Sequence, residues 1–143
     1  MVFCNRLFYW TLFYSLVYGV LVRFCLLWYA INEANTELSN VVQGVNISRD
    51  SHYQLSNRIA FSWKIASMGL PVVLIYLGFI GDHGIKDAGE PFKGHDHWEG
   101  IFETYCRNLL PEGFIAKRIN CGLADFQMIV RSRAIMEPSP PKD

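Results

Sequence analysis

The residues of this chain best equipped for chemistry are His95 and His97, which alternate with Asp96 in GHDHWE and are followed by Glu99. Imidazole and carboxylate are ordinary zinc ligands, and His83 could join the set. A structural zinc site, however, wants four converging ligands at recognisable spacing, and the sequence offers no second half. His95 and His97 are therefore weak metal candidates, and Asp96 and Glu99 read better as the N-cap and N3 residues of a helix. The cysteines, Cys4, Cys25, Cys106 and Cys121, form no C-x-x-C pair. Cys106 and Cys121 fall in the same C-terminal region and could close a disulfide in an oxidising compartment. Cys25, inside an apolar run, reads as a small hydrophobe.

Other motifs say less. Asn46-Ile47-Ser48 has the N-glycosylation acceptor pattern, which acts only if that stretch enters the secretory pathway. No glycine-rich phosphate loop, G-x-S-x-G elbow or H-E-x-x-H helix occurs, so no residue is nominated as catalytic and an enzyme is not expected. The expected cofactor list is empty apart from a bound anionic phospholipid. Net charge is +0 and Lys and Arg are not clustered, which argues against nucleic acid as a partner.

Arg23 poses a different question, because it is the one charge between Leu7 and Ile31. An unpartnered arginine at the centre of a membrane helix costs at least about 2.5–3.5 kcal/mol on insertion scales. It is relieved by snorkelling, by a carboxylate on a neighbour or by a lipid headgroup. Trp28 and Tyr29 have the character of an interfacial belt. With Lys64, which could reach headgroups from a second apolar block, Arg23, Trp28 and Tyr29 are the candidate lipid or partner contacts.

The elements that must carry these residues follow from the distribution of apolar side chains. The chain is 51% hydrophobic over 143 residues, too apolar for disorder, and the densest residues sit in two blocks. A bilayer core about 30 Å thick takes roughly 20 residues of helix. Residues 7–31 and 59–80 are long enough, and they predict a transmembrane helical hairpin over residues 1–80. The first block is too long for a signal peptide and lacks a cleavage site. Leu38, Val41, Val42 and Val45 continue a helical face beyond it, so the first helix is expected from Phe3 to Val42. A turn follows at about residues 43–51, with Gly44, Asn46 and Asp50 as breakers. Ser51 and Gln54 have capping-box spacing ahead of the second helix, in which Pro71 predicts a kink.

Residues 81–143 read as an extramembrane loop and amphipathic tail. Trp98, Ile101, Phe102, Tyr105 and Leu109 share one helical face. Leu123–Met136 also reads as helical, with FQMIV as a possible strand. The resulting fold class is an all-α membrane protein with a small, mostly helical tail whose thin core must be covered by something else.

That build predicts a non-catalytic accessory subunit that scaffolds a multi-subunit membrane complex, with other membrane subunits and lipids as partners. The favoured setting is a respiratory-chain or ATP-synthase assembly of the mitochondrial inner membrane, by analogy of type. One alternative is an auxiliary subunit of a transporter or channel in the endoplasmic reticulum or plasma membrane. The other is a small metal-dependent membrane enzyme using His95 and His97.

Overall fold

The computed structural model describes residues 28–82 and 89–135. Helix α1 is described over residues 28–41 and is followed by α2 (Tyr53–Ser67), β1 (Val72–Ile80), α3 (His95–Cys106), β2 (Arg118–Asn120) and β3 (Asp125–Ala134). The three strands form one sheet in the order β1-β3-β2. β1 and β3 run parallel, in register from Val72↔Phe126 to Ile80↔Ala134, and β2 pairs antiparallel with the start of β3. Parallel neighbours need a crossover between them, and α3 is part of that connection.

This architecture corrects the expected all-α membrane fold. The decisive segment is residues 59–80. Its first part is the end of α2, which stops at Ser67. Gly69 then takes φ +97°, a conformation that favours glycine, and Pro71 cannot donate to a continuing helix. The rest, VVLIYLGFI, is the nine-residue strand β1. Val, Ile, Tyr and Phe suit a strand, and parallel strands read as continuous apolar runs, which is why this stretch imitates a membrane span. Pro71 therefore separates a helix from a strand instead of kinking a helix.

Among the described residues no helix is long and apolar enough to cross a membrane. The hairpin thus loses its second arm, and the integral-membrane, mitochondrial-inner-membrane placement that rested on it is not supported. Residues 7–27 of the first block, Arg23 included, lie outside the described residues.

The tail is corrected in the same way. Leu123–Met136 holds β3, whose buried residues Phe126, Met128 and Val130 alternate with period two, as one face of a sheet requires. The capping box is also absent: His52, not Ser51, is the N-cap of α2, with φ 51° and no side-chain cap bond. The Ser51 hydroxyl instead meets His52 Nδ1 at 2.9 Å. At α3 the N-cap is Gly94 and Asp96 lies in the first turn.

A single core joins these elements. Ile31, Ala34 and Leu38 of α1, Val42 just after it, Leu55, Ile59, Ala60, Trp63 and Ala66 of α2, and Phe102 and Cys106 of α3 share it with Ile119, Phe126, Met128 and Val130 of the sheet. The helices gather on one side. Tyr76 of β1 stacks on Phe102 of α3 at 4.4 Å, and the Arg58 guanidinium of α2 lies 6.0 Å from the centre of the same ring. Gly78 of β1 lets Trp98 lie against the strand, for a Cβ there would fall 2.7 Å from the indole. The α1–α2 connection is held by Ser56, buried in α2, whose Oγ accepts from the Ser48 amide at 3.1 Å and donates to the Ser51 carbonyl at 3.3 Å.

Candidate functional site

The two faces of β1 differ sharply in what covers them. Val72, Leu74 and Tyr76 pack against the core. Val73, Ile75, Leu77 and Phe79 point the other way and are 55%, 55%, 48% and 48% exposed. Alternation along the strand puts these four in a row. The register then places Gln127, Ile129, Arg131 and Arg133 of β3 beside Val73, Ile75, Leu77 and Phe79 respectively. On β2, Arg118 sits next to Gln127 and Asn120 next to Asp125. The open face is therefore an apolar stripe along β1, widened by Ile129 and bordered on the β3 side by arginines towards the carboxyl end of the strands.

Those arginines are only lightly engaged. Arg118 Nε is 3.8 Å from Asp125 Oδ2 across an exposed pair, worth little in water. Arg131 Nη1 donates to its neighbour's carbonyl, Val130 O, at 2.7 Å, and no described carboxylate pairs with it. No described residue pairs with Arg133. At the amino end of β1 the face runs into a hollow of about 670 Å³ lined by Gly69, Pro71, Val73, Arg118, Leu123 and Gln127. Leu70 and Leu123 beside it are 61% and 76% exposed, so the apolar surface continues beyond the strand. The outer edge of β1 meets Phe92 at Ile80, where the Gly81 amide donates to Phe92 O at 3.1 Å.

A polar cluster lies at the carboxyl end of β3, on the helix side. His95 Nδ1 is 3.0 Å from Ser132 Oγ, and His95 Nε2 is 3.8 Å from Glu99 Oε2. Serine, histidine and carboxylate in sequence are the ingredients of nucleophilic catalysis. Here the imidazole and carboxylate are 43% and 41% exposed and come from one helix at i, i+4 spacing. The hollow of about 600 Å³ that Glu99 helps to line does not include His95 or Ser132. The cluster ties the start of α3 to β3 without enclosing a substrate.

The remaining candidates are dispersed. His97 Nδ1 accepts from the Lys93 amide at 3.2 Å, so it faces its own loop while His95 faces Ser132. Among the described residues no group of three or more His, Cys, Asp or Glu could hold a metal, and His83 lies outside them. Cys106 is buried and Cys121 half-buried, both as free thiols. Burial pushes the Cys106 thiol up to about 12, with the Glu103 charge adding to it. Burial also raises Cys121. Lys64 is half exposed, and its Nζ pairs with Glu33 Oε1 at 3.0 Å and lies 5.4 Å from the centre of the Trp63 ring. Trp28 and Tyr29 are exposed on α1, and Asn46 is exposed on the α1–α2 connection. None of these residues belongs to the open face. The sequence signal that could have found that face is the Gly69-Leu70-Pro71 break before a nine-residue β-branched and aromatic run.

Comparison with protein-family models, curated proteins and solved structures finds no match for this chain.

Proposed function

We propose that this chain is a non-catalytic binding subunit whose open sheet face docks another protein of a larger assembly. One observation carries the reading: Val73, Ile75, Leu77 and Phe79 stand half-exposed in a row on a strand of a parallel pair. Parallel strands are usually joined by helices that cover both faces of their sheet, and on the β1–β3 pair of this mixed sheet the described helices cover one. A contiguous exposed apolar patch of this kind marks an interaction site more often than it occurs by chance. The role keeps the scaffolding character expected from the sequence but moves its surface from membrane helices to the sheet.

The test is the size of the native complex in extracts of the source cells, for the wild type and for Leu77→Asp. Leu77 contributes little to the core, so the variant is expected to stay folded, which circular dichroism of the purified chain checks. The wild type should migrate in a species larger than the chain and Leu77→Asp should not. Equal migration of the two would remove the open face as the docking site.

A further inference from the structure

We infer that the occupant of the open face is an amphipathic helix of a partner protein, with an apolar stripe laid along β1 and acidic residues flanking it over Arg131 and Arg133. This deepens the docking reading and rests on it. Shape supports a helix. The paired part of β1 and β3 is two strands wide over nine residues, about 10 Å by about 30 Å with the side chains at its margins. A helix about 10 Å across and roughly 20 residues long has that footprint. A second sheet would overhang it, since β2 adds only three residues. A helix on this side would also give β1 and β3 the two covered faces that parallel strands ordinarily have.

Charge selects the partner. The arginines border the apolar row on one side, at Arg131 beside Leu77 and Arg133 beside Phe79. Among the described strand residues the acid on the same face is Asp125, which already faces Arg118. A second copy of the chain would therefore bring more arginine to the face than acid. Residues 1–27 fit the charge no better, because Arg6 and Arg23 are their only charged side chains. A partner helix with Glu or Asp beside its apolar stripe supplies the missing sign, and apolar anchors at i, i+3, i+4 and i+7 suit the row along β1.

The test uses two synthetic peptides of about 20 residues with the same leucine stripe, one flanked by Glu and one by Lys, titrated against the full chain by fluorescence anisotropy. The Glu peptide should bind, and the Lys peptide should bind about tenfold more weakly or worse, as two or three exposed charge pairs imply. Arg131→Glu with Arg133→Glu should reverse that order, and raising salt from 0.05 to about 0.5 M should shrink the difference. Leu77→Asp should abolish binding of both peptides. Equal binding of the two peptides, sensitive to Leu77→Asp but not to the arginine variant, would overturn the acidic-helix inference while leaving the docking face in place. A dimer of the free chain that Leu77→Asp dissociates would overturn it in favour of a second copy. Peptide binding untouched by Leu77→Asp would overturn both readings.

Discussion

Gly78 shows how much one missing Cβ can decide. Its position on β1 faces Trp98, whose indole is held between Phe92 at 4.8 Å and Phe102 at 5.5 Å. A methyl group there would sit 2.7 Å from the indole, and the flanking rings block an easy retreat. Gly78→Ala should therefore destabilise the fold by about 1–3 kcal/mol, the usual cost of overpacking, seen as a lower urea midpoint at unchanged slope. A wild-type midpoint would mean that the tryptophan moves freely. Cys106 supports a second prediction at this scale. Its thiol, 3% exposed and pushed up to about 12 from 9.0, remains protonated across the range in which thiols are normally alkylated. The thiolate is the reactive form, so iodoacetamide at pH 8 should modify Cys121 before Cys106, and Cys106 only after unfolding, as peptide mass spectrometry can score. The same shift has a sign for stability. The unfolded thiol ionises above about 9 while the folded one does not, so Cys106 favours the fold below that pH and the advantage is lost as pH rises towards 12.

At the scale of elements, the junction between α2 and β1 carries most of the difference between expectation and fold. Apolar residues dominate from Ile59 to Ile80, and hydropathy alone cannot distinguish a helix in lipid from a helix followed by an apolar strand. The distinguishing information is local, in Gly69 at φ +97° and in Pro71. Gly69→Ala should cost about 1–3 kcal/mol through backbone strain alone, since the nearest atom to an added Cβ, Leu123 Cβ, is at a comfortable 3.8 Å. A thermal melt that is unchanged would show that the turn does not need glycine. The helices were more legible. The α3 face was readable because Trp98 and Phe102 recur at helical spacing and do pack together. β3 was harder: Phe126, Met128 and Val130 satisfy a strand, while Leu123, Phe126 and Val130 also satisfy a helix, and only pairing with β1 settles it. The open face went unread with the strand that carries it. Its row of Val73, Ile75, Leu77 and Phe79 exists only once β1 is a strand with one side covered.

At the scale of the whole molecule, the described helices lie on one side of the sheet and no described residue covers the other, an arrangement with a measurable consequence. Residues on the bare side should contribute to what the molecule binds and little to whether it folds. Ile75 and Leu77 are 55% and 48% exposed, so replacing both with lysine removes little buried area, and surface changes of this kind usually stay within about 0.5 kcal/mol each. The new charges would stand beside Arg131, however, and mutual repulsion adds a small penalty that salt screens. Ile75→Lys with Leu77→Lys should therefore unfold cooperatively within a few degrees of the wild type, with the gap narrowing at high ionic strength. The same variant should lose most of the fluorescence that a hydrophobic dye gains on the wild-type chain, because the contiguous stripe along β1 would be broken at its centre. The two readouts separate the alternatives. A large fall in melting temperature would place these side chains in a covered interface within the chain itself, and the sheet would then have two protected faces without any partner. A retained melt with undiminished dye binding would place the molecule's adhesive surface elsewhere, at exposed Leu70 and Leu123 beside the hollow. A retained melt with lost dye binding leaves the outward side of β1 as the surface that this fold builds and does not use internally.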